Sequence, residues 1–188
     1  ALAPSDGTVT NNDETYIRST AEIFKFVAGQ ALYGECLLQF TEGATDDANI
    51  FFGFKDAIAA NTLVDDGAGL ATSFSGACIY KVDGGTVWKC VTSNSTSQTI
   101  STSLTTAGGS SYQKLVIEAR DVDGSNFEVT FFCDGQPLLD SSTRRPIKHT
   151  VAIASATEMH VGAGIKNGAD TTVELLNIDY IAAYQRRA

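Results

Sequence analysis

The sequence predicts an all-β chain folded as one antiparallel β-sandwich, and three observations carry that expectation. Proline is scarce and glycine plentiful among the 188 residues, and Ser and Thr recur throughout. Turns are therefore set by glycine and strands by β-branched residues. From Tyr16 onward the chain breaks into eleven short apolar runs separated by Gly, Asp and Asn, with no convincing long helix. Two of the hairpins alternate apolar and polar residues regularly enough to assign a core face and a solvent face.

Residues 1–15, beginning ALAPSDGTVTNND, are small, polar and without period, and read as an extended N-terminal arm with no core of its own. Such a segment is expected to be ordered by a partner, with Leu2, Pro4 and Val9 as its apolar contacts, while residues 16–188 form the domain. Strands are expected at 21–27, 34–41, 48–55, 74–82, 86–92, 97–104, 112–121, 126–133, 147–153, 158–166 and 172–185. The stretch DAIAANTLVDDG (56–67) is helix-like but too short and interrupted to change the class. The Ser/Thr-rich segment 92–111 reads as an exposed strand whose Ile100 and Leu104 face inward and which ends at Gly108–Gly109.

Two hairpins are specified to the residue. In ACIYKVDGGTVWKCV, a three-residue loop Asp83–Gly85 pairs Tyr80 with Trp88 and Cys78 with Cys90, placing all four on one face and Lys81 and Lys89 on the other. In KLVIEARDVDGSNFEVTFFCDG, the loop Asp123–Ser125 pairs Ala119 with Val129 and Ile117 with Phe131. The opposite face then sets Arg120 across from Glu128 as a cross-strand ion pair.

Composition narrows the function. The chain carries 13 Lys and Arg against 22 Asp and Glu, a net charge of -9. That disfavours direct binding to nucleic acid or an anionic membrane, each of which needs a basic face. No apolar run approaches the ~20 residues that cross a bilayer. The N-terminus has neither a basic segment nor an apolar core, so no signal peptide is expected in this sequence, and the compartment stays open.

Candidate chemistry is sparse. Glycoside hydrolysis needs two carboxylates flanking the scissile bond, and Glu118, Glu174 and Asp179 lack the Glu-x-Asp-x-x-Glu spacing. The run DVDGSN (121–126) and the pairs Asp46–Asp47 and Asp65–Asp66 read as solvated turns rather than metal loops. His149 and His160 stand outside any nucleophile motif. Cys36, Cys78, Cys90 and Cys133 form no C-x-x-C pair and read as buried thiols, although Cys78 facing Cys90 is compatible with a disulfide. Asn94-Ser95-Thr96 is an acceptor triplet by chance in a Ser/Thr-rich run. Tyr33, Tyr80 and Trp88 could form an aromatic sugar platform, but the hairpin register favours packing for Tyr80 and Trp88. No catalytic residue, metal or cofactor is expected.

The unit YQKLVIEARDVDGSNFEVTFFCDGQPL (112–138) resembles the hairpin of concanavalin/laminin-G-type jelly rolls. VELLNIDYIAAYQ (173–185) is similar to their closing strand, and MHVGAGIKNGAD (159–170) to the strand and turn before it. Segments 41–69 and 75–90 resemble a tailed-phage version of this fold. That resemblance implies a concanavalin-like jelly roll acting as a non-enzymatic head decoration, or cement, protein on the outer capsid surface. Its partner would be the major capsid protein, and its own state commonly a trimer. The alternative is a lectin-like carbohydrate-binding module for host adhesion, and a third reading is a degenerate hydrolase.

Overall fold

The computed structural model describes residues 1–4, 8, 10–108, 111–153, 157–168 and 171–186. Its strands are β1 (Glu14–Arg18), β2 (Leu32–Thr41), β3 (Asn49–Lys55), β4 (Leu63–Val64), β5 (Gly69–Leu70), β6 (Ser75–Lys81), β7 (Val87–Asn94), β8 (Gln98–Thr106), β9 (Gln113–Asp121), β10 (Asn126–Cys133), β11 (Gln136–Pro137), β12 (Lys148–Ala152), β13 (His160–Lys166) and β14 (Leu175–Gln185). All but β4 and β5, which pair with each other, form two antiparallel sheets packed face to face. One has the order β1-β13-β3-β6-β7-β8; the other has β11-β10-β9-β2-β14, with β12 also pairing β10.

The alternation of each strand determines what it buries. Leu32, Cys36, Leu38 and Phe40 of β2, Leu115 and Ile117 of β9, and Phe127, Val129 and Phe131 of β10 point inward. They meet Ile50, Phe52 and Phe54 of β3, Ile79 of β6 and Trp88 of β7 in the main core. Gly34 also points inward, and a Cβ there would lie 2.6 Å from the Phe54 ring, so the sheets approach this closely only over glycine.

A second core lies on the outer face of the first sheet. Phe51, Cys78, Tyr80 and Val91 pack there against Ile58, Leu63, Leu70 and Phe74 from the segment between β3 and β6. That segment contains the β4–β5 ladder and a 3-10 turn at Asp65–Gly67 in place of the helix-like stretch. Strands β3, β6 and β13 are consequently buried on both faces. We call this the covered sheet, and its partner the open sheet.

Buried lysines tie loops to the covered sheet. Lys166 Nζ reaches Glu14 Oε2 at 3.2 Å, Asn61 Oδ1 at 3.0 Å, the Leu63 carbonyl at 3.0 Å and the Asp65 carboxylate. Lys81 Nζ holds Glu42 Oε1 at 2.6 Å and the carbonyls of Asp46 and Ala48.

Several expectations are corrected. Residues 21–27 form no strand: Phe24 and Phe26 are buried as the alternation implies, but only Phe24 finds a ladder partner, Met159. The first strand is β1, which begins inside the segment read as an arm and pairs with β13. Leu2 forms a bridge with Leu176 through two backbone hydrogen bonds and packs on the main core, and Pro4 is buried. The described part of the arm therefore has contacts on its own sandwich; Val9 lies outside the described residues.

In the first hairpin the register slips by one: Tyr80 pairs Lys89, Ile79 pairs Cys90 and Cys78 pairs Val91. The turn is set from outside the hairpin. Asn49 Oδ1 accepts from the Asp83 N–H and the Asp46 carbonyl from the Gly84 N–H, both at 2.9 Å. Cys78 and Cys90 thus occupy opposite faces, and all four cysteines are buried free thiols. β8 is also inverted: Ile100 and Leu104 are exposed, while Ser103 is buried. The second hairpin has the expected register, Ala119 with Val129, Ile117 with Phe131 and Arg120 with Glu128.

Candidate functional site

The outer face of the open sheet carries a polar, solvent-lined trough in register across several strands. On β2, β9, β10, β12 and β14 the residues that alternate with the core positions must face outward. Pairing aligns them into a row: Tyr184 beside Tyr33, then Glu118, Thr130 and Lys148. Five strands at about 4.8 Å spacing make this row roughly 19 Å long. Arg120 and Glu128 form the next row, with Phe132 and Pro137 closing the other side. Together they line a trough of about 520 Å³, within the range of small-ligand sites.

The aromatic end is organised by Glu35. The Tyr33 and Tyr184 rings are stacked, with centroids 5.2 Å apart and planes at 25°, and Tyr184 is 61% exposed. The Tyr33 hydroxyl donates to Glu35 Oε2 at 2.6 Å, and Lys114 Nζ lies 3.6 Å from the same oxygen. Tyr33, then Tyr180 and Lys114, hold the Glu35 carboxyl below its usual range. This locks one ring of the pair and leaves the outer one free to receive a ligand face.

At the opposite end Glu128 Oε1 accepts from Arg120 Nη2 at 2.6 Å, Arg120 Nε at 3.1 Å and Lys148 Nζ at 3.2 Å. Arg120 first, and then Lys148, keep the Glu128 carboxyl below its ordinary range. A carboxyl held ionised in this way accepts hydrogen bonds but is unsuited to donate the proton that glycoside cleavage requires.

Of the residues expected as a sugar platform, only Tyr33 reaches this face. Trp88 is fully buried in the main core, edge-on to Phe40 at 6.0 Å with its Nε1–H donating to Gln113 Oε1. Tyr80 is buried on the other side of the covered sheet, in the second core. Tyr184 was missed. Its signal was the end of the closing strand, where Tyr180 and Tyr184 recur among small residues, but its neighbour Tyr33 is distant in sequence.

The other candidate groups have structural partners. Asp121 accepts from the N–H groups of Gly29, Gly124 and Asp123, and Asp123 from Ser125 and Asn126, which engages both carboxylates of DVDGSN in turn closure. Asn94 Oδ1 likewise caps the β7–β8 turn by accepting from Thr96 and Ser97. Among the described residues, no group of three His, Cys, Asp or Glu is placed to hold a metal ion. His160 lies between Arg18 and the Ser19 carbonyl, with Glu22 Oε1 3.3 Å from its Nε2. His149 bridges the sheets, with Nδ1 3.2 Å from Thr92 Oγ1 and Nε2 3.0 Å from Ser101 Oγ.

Burial pushes the His149 pKa down to about 4 and that of Glu174 up to about 7. Between pH 4 and 6.5 the unfolded histidine binds more protons than the folded one, so its contribution to stability is lost as pH falls through this window. Glu174 acts in the opposite sense, since its folded form binds more protons between about 4.5 and 7. In Glu174→Gln, urea unfolding should therefore report stability falling steadily from pH 6.5 to 4.5; a flat profile would remove His149 from the account.

No family model matches the chain, and neither does any curated protein sequence. Solved structures do match. The carbohydrate recognition domain of Emp46p, in its potassium-bound form, aligns with a TM-score of 0.62 at 13% identity, covering 93% of this chain and 79% of that one. The fold is a lectin-type jelly roll. A legume lectin-like domain from Entamoeba histolytica aligns at 0.58 with 8% identity, covering 94% and 82%. An endo-1,3-beta-glucanase from Streptomyces sioyaensis aligns at 0.56 with 14% identity, covering 90% and 69%. Binding domains and an enzyme share this architecture, so the likeness extends to the fold and function must come from the site.

Proposed function

We propose that this chain is a non-catalytic saccharide-binding domain whose ligand lies in the trough of the open sheet. The observation that carries this reading is the stacked Tyr33–Tyr184 pair, its outer ring exposed, at the head of a cross-strand row of donors and acceptors. A pyranose presents an apolar ring face edged by hydroxyls, and this arrangement offers a ring to the first and Glu118, Thr130 and Lys148 to the second. The likeness to carbohydrate recognition domains supports the same reading at the level of fold.

The isolated protein is expected to bind oligosaccharides on a glycan panel, and Tyr184→Ala to weaken that binding by more than about tenfold. Its melting temperature should stay within a degree or two, because Tyr184 lies on the surface. A panel with no binder, or an unchanged affinity in Tyr184→Ala, would reject the assignment.

A second reading is capsid decoration, with the major capsid protein as partner and a trimeric assembly on the outer virion surface. It is favoured by one observation: the segments 41–69 and 75–90, which resemble phage decoration proteins, meet in the second core through Phe51, Ile58 and Leu63 of the first and Cys78, Tyr80 and Val82 of the second. The two readings separate by assembly. Co-sedimentation with capsids, and earlier heat failure of particles lacking the protein, would support decoration.

A further inference from the structure

The charges of the trough narrow the chemistry of the sugar. Resting on the saccharide reading, we propose that the ligand carries an acidic group, a carboxylate or a sulfate, received by Arg120 and Lys148 while the Tyr33–Tyr184 pair holds a ring at the opposite end.

The geometry rests on one shared anion. Arg120 Nη2 and Nε and Lys148 Nζ all converge on Glu128 Oε1, so two cations meet a single carboxylate and one positive charge is left in excess. Donors are in excess as well: a guanidinium offers five N–H groups and an ammonium three, and this contact occupies three of the eight. Both side chains face solvent, Arg120 with 68% and Lys148 with 50% exposure, whereas Glu128 is 22% exposed beneath them. Planar, bidentate donation to a carboxylate or sulfate is what a free guanidinium edge favours.

Glu118 gives the trough a direction. It is an exposed acid paired across the ladder with Tyr33, so it accepts from sugar hydroxyls beside the aromatic pair and repels an anionic substituent there. The trough is negative beside the tyrosines at Glu118 and positive at Arg120 in the next row and at Lys148 on β12, which orients an acidic saccharide with its charge over Arg120 and Lys148. The chain as a whole carries a net charge of -9 and repels anions at long range. The local surplus of donors is therefore not a by-product of a basic protein.

The test is calorimetric titration of the full chain with three oligosaccharides of matched length: an oligouronate, an O-sulfated oligosaccharide and a neutral oligoglucoside. At least one anionic probe is expected to bind about tenfold or more tightly than the neutral one, as charge-assisted hydrogen bonds imply, and to weaken with added salt. Lys148→Met should weaken it about tenfold, Glu118→Gln should tighten it, and Lys89→Met on the covered sheet should leave it unchanged. The two anionic arms distinguish a carboxylate ligand from a sulfate. Neutral binding equal to or tighter than both anionic probes, or unchanged selectivity in Lys148→Met, overturns this inference while leaving the saccharide reading intact. Binding of none of the three, with the glycan panel also empty, overturns that reading itself.

Discussion

Trp88→Ala should cost about 3–5 kcal/mol of folding stability, the usual range for emptying a large aromatic site in a core. The indole is completely buried and wedged edge-on against Phe40, and its N–H is satisfied by Gln113 Oε1 at 3.1 Å. Truncation would remove the packing and one of the two hydrogen bonds to Gln113 Oε1, which keeps the Gly108 N–H at 2.8 Å. Against a typical total of about 5–15 kcal/mol this is a large fraction. Trp88→Phe, which retains an aromatic ring and loses mainly the hydrogen bond, should cost distinctly less. Urea unfolding measures the difference. Saccharide binding by the folded fraction should be unaffected, since Trp88 does not line the trough. Loss of binding with stability unchanged would return Trp88 to the platform role.

Lys166→Met should be the most damaging single charge removal, at roughly 3 kcal/mol, the lower end of what breaking a buried ion pair costs. The ammonium is 1% exposed and engages Glu14, Asn61, Asp65 and the Leu63 carbonyl. Without it Glu14, itself largely covered, is left uncompensated, while Asp65 is 54% exposed and water absorbs much of its charge. Adding Glu14→Gln should recover part of the loss. Arg120→Ala, at an exposed pair, should stay within about 1 kcal/mol. Equal melting temperatures for Lys166→Met and Arg120→Ala would show that burial does not distinguish the two pairs.

Local chemistry decided how much could be read in advance. The β9–β10 hairpin was legible because Asp121 and Asp123 close its turn with their own carboxylates, so everything that sets the register lies within a few residues. The β6–β7 turn follows a different rule: Asn49 and Asp46, more than thirty residues upstream, hold its backbone and slip the pairing by one. A slip of one exchanges faces, which is why Tyr80 and Trp88 separate into different cores. In β8 the apolar Ile100 and Leu104 take the outward positions against the usual alternation, and the inward ones are taken by small hydroxyl residues, of which Ser101 meets His149. The trough was half legible. Arg120 and Glu128 follow from one hairpin, whereas Tyr33 meets Tyr184 only because β2 pairs with a closing strand at the far end of the chain.

Covering one sheet on both sides makes solvent access unequal across the molecule. An amide in β3 or β6 is hydrogen-bonded to neighbouring strands, with the main core on one side and the second core on the other. Water reaches it only after residues 56–74 lift away. Those residues connect β3 directly to β6, its neighbour in the sheet, so the cover and the strands beneath it are one continuous stretch of chain. Such a stretch opens and closes as a cooperative unit, and it can exchange or fray without disturbing the trough on the far side of the sandwich.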